Sequence, residues 1–177
     1  MASIAGLDTA EATDRMTAAL RGFNMELNET SAKNIADVYS KLAAITAADV
    51  DEISTAMTKT ASIASSAGME FETTAAFLSQ IIETTRESAE TAGTAMKTVI
   101  ARFQELKKAP DEIGEVDGEI VDANAIETAL RSVGVALRDS SGQFRELDDV
   151  FLELSSKWDG LDKNTQRYIA TIAAGSR

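Results

Sequence analysis

Neither cysteine nor histidine occurs anywhere in the 177 residues. Without cysteine there is no disulfide, no thiolate nucleophile and no sulfur ligand for a metal. Without histidine the chain lacks the side chain most used for proton transfer near neutral pH and the commonest ligand of transition metals. Most enzyme classes are disfavoured on these two absences, and the chain is expected to be non-enzymatic, with no catalytic, metal or cofactor residues. Proline occurs once, at Pro110, so long uninterrupted helices are permitted. Aromatic residues make up only 5% of the chain, which leaves aliphatic side chains and alanine to fill a core. No apolar run approaches the roughly 18 residues that span a bilayer. The opening residues carry neither the basic nor the apolar region of a secretory signal. Stable membrane insertion is therefore not expected. Basic residues are scarce too: 17 Lys and Arg stand against 29 Asp and Glu, a net charge of -12 that repels a phosphate backbone, so no nucleic-acid partner is expected.

What is present is the composition of a folded domain, 44% hydrophobic and 26% charged, with abundant small side chains that let helices come close. Apolar residues recur at helical spacing along most of the chain. Met16, Leu20, Phe23 and Leu27 form one stripe, and Ile35, Val38, Leu42 and Ile45 a second. A third runs through Val50, Ile53, Met57, Ile63 and Ala67, with Thr46 and Asp49 resembling a capping box before it and Gly68 as its stop. Phe71, Ala75, Leu78 and Ile82 mark a fourth helix. Met96, Val99, Phe103 and Leu106 mark a fifth, which ends in Lys107 and Lys108 before Pro110.

Residues 111–122 carry six carboxylates, no basic side chain and two glycines, a pattern that buries no face and reads as a loop or linker. Beyond it, Asn124 and Glu127 resemble an N-terminal cap for a helix through Ile126, Leu130 and Val133, closed by Gly134. From Val135 to Arg145 polar and apolar residues alternate around Gly142, which predicts a small β-hairpin. Leu147, Val150, Leu154 and Trp158 follow at helical spacing, and Asp162 caps a last helix through Tyr168, Ile169 and Ile172. The expected fold is mainly all-α, a multi-helix bundle of amphipathic helices with one small β-hairpin in the C-terminal third. The expected division is a helical region 1–109, an acidic linker 110–123, and a helix, hairpin and two helices in 124–177. No internal repeat is present, and the ending at Gly175, Ser176 and Arg177 suggests a piece of a longer chain.

Each trace of chemistry has a plainer reading. Centring a calcium loop on Gly118 would place Glu115 and Asp117 at ligand positions. It would also put Ile113 and Asn124 where the first and last carboxylates must stand. A solvated linker is preferred. Asp149 with Glu153, and Glu83 with Glu87, are carboxylate pairs one helical turn apart, with Arg86 and Arg145 nearby. Such pairs are ordinary on solvated helix faces and lack the environment that separates two carboxyl pKa values. No glycine-rich phosphate loop exists. Trp158 stands in register with Leu147, Val150 and Leu154, as a packing residue does.

Several stretches, taken in order, resemble the core region of phage tail tape measure proteins. FNME from Phe23 and IADV from Ile35 are similar to that family's first two helices, and VDEI from Val50 with ASSAGME from Ala64 to its third helix and glycine stop. AGTAMKTVIARF from Ala92 is the most specific likeness. VGVALRDSSGQFR from Val133 and IAAGSR from Ile172 resemble the hairpin and the A-G-x-R element that follow in many members. The stretch IETTRESAE from Ile82 departs from the pattern, because many members have a more glycine-rich connection there.

The resemblance implies a virion structural protein that occupies the lumen of the tail tube, after a period in the host cytoplasm during assembly. It implies a protein that helps set tail length, templates tail-tube assembly and is released during infection. The partners implied are the tail tube protein, tail assembly chaperones, baseplate or tail-tip proteins, and further copies of itself in a small oligomer. Composition alone fits a second reading equally, a helical protein-interaction module such as an adaptor or secreted effector, and the resemblance implies a third, a cell-wall lytic domain of the kind long tape measure chains include. Gly93 is the position of greatest structural interest. It is either a break that leaves Thr94 as an N-cap or a point where another helix backbone comes close.

Overall fold

In a computed structural model of the chain, the described residues are 8–105, 114–116, 119–121 and 123–174. They fall into two compact units, Met1–Lys97 and Thr98–Arg177. The first unit contains α1 (Thr9–Gly22), α2 (Glu29–Ile45), α3 (Val50–Ser66), α4 (Phe71–Thr85) and the beginning of α5 (Ala89–Glu105). The starts of α1, α2 and α3 are each set by a side-chain cap. The Asp8 carboxylate accepts from the Glu11 amide at 2.9 Å and the Asn28 side chain from the Ser31 amide at 2.8 Å, satisfying amides that have no partner inside the helix. The capping box ahead of α3 is built from Asp49 and Glu52, each side chain accepting from the other's backbone amide, and not from Thr46 and Asp49. Thr46 instead ends α2, its amide and its hydroxyl both donating to the Leu42 carbonyl.

α3 is the centre of the first unit, packed on α1, α2 and α4. It buries Ile53, Ala56, Met57, Thr60, Ala61 and Ala64, while Ile63, expected in its stripe, is only half-buried. The stripe of α4 is buried as its spacing predicts, at Phe71, Ala75, Leu78 and Ile82. Phe71 meets the Phe23 ring edge-on at 5.7 Å and the Tyr39 ring at 5.4 Å. Leu27 does not continue the stripe of α1. That helix ends at Gly22, Asn24 turns left-handed at φ 53°, and Leu27 lies in the following corner, 65% exposed.

The second unit holds the rest of α5, a two-stranded antiparallel ladder of β1 (Gly114–Val116) and β2 (Glu119–Val121), α6 (Ala123–Ser132), α7 (Leu147–Trp158) and α8 (Lys163–Ala174). The ladder stands in the acidic stretch where a loop was expected; Asp117 and Gly118 lie outside the described residues. So do Leu106, Lys107, Lys108 and Pro110, the expected end of the fifth helix. α6 packs on α8, and the core gathers Ile100, Phe103, Leu130, Leu137, Leu147, Val150 and Ile169. Phe103 meets Phe151 edge-on at 5.1 Å. Asp162 caps α8 as expected, accepting from the Asn164 and Thr165 amides.

The β-hairpin predicted between Val135 and Arg145 does not form. Its flanks are paired only by one isolated antiparallel bridge, Arg138 with Phe144. The reason is local. Gly134, at φ 77°, leaves only a short flank after α6. The Asp139 carboxylate takes the Gln143 amide, which the next rung of a ladder would need for the Asp139 carbonyl, so pairing stops at the one bridge.

Candidate functional site

Two glycines of neighbouring helices stand close against α3. A methyl group built on Gly22 would come within 2.4 Å of the Ala61 β-carbon, and one on Gly93 within 2.5 Å of the Ala56 carbonyl oxygen. Gly93 sits inside α5, whose start is held five residues earlier by Ser88, the Thr91 amide donating to Ser88 Oγ at 3.2 Å. Thr94 is therefore not an N-cap, and Gly93 is a contact point between helices. The buried Thr60 hydroxyl reinforces it, donating to the Gly93 carbonyl at 3.0 Å. Arg15 also ties α1 to α3, donating to the Asp51 side chain and backbone and pairing with Glu11.

Of the carboxylate pairs singled out by sequence, Glu83 and Glu87 do not share a helix. α4 ends at Thr85, and Arg86 follows in the left-handed region at φ 59°. That is the conformation for which glycine is the natural residue, and it falls in the stretch that departs from the family pattern. Glu153 belongs to an ion-pair cluster, accepting from Arg145 at 2.6 Å and Lys157 at 2.9 Å. These bonds, Arg145 first, hold its carboxyl below the usual carboxylate range. Asp139 is lowered by the Ser141 hydroxyl and then the Gln143 amide, and Asp162 by the Thr165 hydroxyl and amide. Each shift comes from a bond within a turn, a cap or a surface pair. Trp158 is half-buried at the end of α7, and its backbone carbonyl accepts from the Gln166 side chain at 2.7 Å.

Tyr39 was not singled out by sequence reasoning. It is fully buried, and its hydroxyl has no hydrogen-bond partner; burial raises its pKa far above the usual phenol value. Among the described residues no group of three acidic side chains could hold a metal ion, and no helix is long and apolar enough to cross a membrane. The large apolar side chains left exposed are Leu27, Ile45, Leu152 and Tyr168.

The family model described as phage-related minor tail protein matches residues 1–175. Among curated proteins, the chain is 25% identical over 173 residues to the tape measure protein of Pneumococcus phage Dp-1. That match covers 97% of this chain and 13% of that protein. No solved structure matches.

Proposed function

The chain belongs to the phage-related minor tail protein family, and from that premise we propose that it is a segment of a tape measure protein, a structural component that helps set the length of a phage tail. The observation that carries this reading is the likeness to the Dp-1 protein along 97% of the chain. The chain spans about an eighth of that relative's length, so it acts as one part of a longer ruler. The reading places it in the lumen of the tail tube, with the tail tube protein, assembly chaperones and tail-tip proteins as partners and self-association into a small oligomer. It templates tube assembly and is released during infection. It performs no catalysis, in keeping with the absence of histidine and cysteine.

The deciding experiment is an in-frame deletion of this segment in a phage that encodes it, with tail length measured by electron microscopy. Tails shortened by up to about 1.5 Å per residue removed, the rise of a helix, support the ruler. Tails of unchanged length would sink it. In this reading the acidic stretch 110–123 serves as a linker within the second unit, joining the end of α5 to the helices of 124–177. Limited proteolysis should then cut within 111–122 before it cuts within α5, and first cleavage inside α5 would move the boundary.

A further inference from the structure

One carboxylate closes the neck of the loop between α6 and α7. Glu153, on α7, accepts from Arg145 Nη1 and from Lys157 Nζ. The same Arg145 nitrogen donates to the Ala136 carbonyl at 2.9 Å, and Lys157 Nζ donates to the Gly134 carbonyl. Glu153 thereby holds the chain both where it leaves α6 and where it returns to α7. Beyond the neck the loop is organised mainly by its own residues, with one further tie from Arg138 to Glu127 of α6 at 3.4 Å. Asp139 accepts from the Ser141 and Gln143 amides, Gly142 takes φ 82°, and the Arg138 guanidinium lies 4.3 Å from the centre of the Phe144 ring. Two backbone bonds cross it, from the Asp139 amide to the Gln143 carbonyl at 2.8 Å and from the Arg145 amide to the Leu137 carbonyl at 2.9 Å.

We propose that residues 138–145 form a strap that opens and closes as one unit, with Glu153 as its clasp, while α6, α7 and α8 stay folded. Segments that open locally are those with few buried apolar contacts. Val135 and Leu137 are fully buried below the neck, whereas every residue from Arg138 to Arg145 is exposed or half-buried. The helices rest on the buried Leu130, Leu147, Val150 and Ile169, which opening of the strap leaves in place. The fastening is charge-assisted on both sides, and such bonds are roughly twice as strong as neutral ones.

The test is Glu153→Gln in this chain, read by amide hydrogen exchange in solution. The Asp139 and Arg145 amides should exchange on the order of tenfold faster, as loss of about one charge-assisted bond implies. Amides inside α6 and α8 should keep their rates, and added salt should speed the same two strap amides in the unsubstituted chain. Equal acceleration in strap and helices would show that Glu153 supports the whole unit, and unchanged strap rates would show that it fastens nothing; either overturns the proposal. Lys157→Met should give a smaller effect in the same direction, and a larger one would transfer the clasp from the carboxylate to the cation.

Discussion

Gly93 of α5 and Ala56 of α3 stand so close that one added methyl group would reach 2.5 Å from the Ala56 carbonyl oxygen. The obstacle is backbone, which cannot rotate away as a side chain can. Gly93→Ala should therefore destabilise the chain by about 1–3 kcal/mol, the cost of overpacking, even though helix propensity alone favours alanine by about 1 kcal/mol. Urea titration of the two proteins measures the difference, and a stabilised variant would contradict the close approach.

Tyr39→Phe removes a hydroxyl that is buried without a partner, and should leave the chain as stable or about 1 kcal/mol more stable at neutral pH. The alkaline limb carries a second signature. The folded state holds the phenol neutral, so its contribution is fully present below the unfolded pKa near ~10 and is lost as pH rises beyond it. The unsubstituted chain should lose stability above that pH, and Tyr39→Phe should lose less. Equal alkaline limbs in thermal melts of the two would contradict the burial.

Arg86 is a non-glycine residue at φ 59°, immediately after the last residue of α4. Arg86→Gly should raise stability by about 0.5–1 kcal/mol, because a left-handed backbone costs a residue with a β-carbon more than it costs glycine. A lower melting temperature in the glycine variant would mean that the side chain carries a role that outweighs the strain.

Asp162 caps α8, and its lowered pKa gives the effect a direction with pH. A carboxyl depressed in the folded state stabilises above its unfolded pKa near ~3.9 and loses that contribution as pH falls through the folded value. Asp162→Ala should lower the melting temperature at pH 7. It should also narrow the fall in melting temperature between about pH 5 and pH 2. Parallel acid profiles for the two proteins would contradict the cap.

Eight helical segments could be read from apolar spacing, and where large side chains mark the buried face the reading reaches single residues, as with Phe71, Leu78 and Ile82. It falters where small ones do the packing. Thr60 and Ala64 are buried while Ile63 is half-buried, and hydrophobicity carries no signal for that exchange. Leu27 kept the spacing of α1 but not its helix, because the left-handed Asn24 interrupts a pattern that continues in letters alone. Alternation from Val135 to Arg145 suggested paired strands, yet the Asp139 side chain drew off the Gln143 amide that a second rung requires. Gly93 was visible as a special position, but its two readings could be separated only by Ala56, which is remote in sequence. The bonds of Glu153 to Arg145 and Lys157 join a loop to a helix, and no periodicity announces them.

The two glycine contacts on α3 are made at Ala56 and Ala61, roughly 140° apart around that helix at about 100° per residue. Insertion or deletion of one residue between them would swing one contact by about 100° relative to the other, and no change of rotamer could restore both, since one is made with backbone and the other with a β-carbon that has no rotamer to change. The first unit is thus fixed in length along α3. A lineage of such proteins that grows or shrinks by single residues must take those changes in the corners between helices or elsewhere in the longer chain, and leave this stretch with a constant residue count.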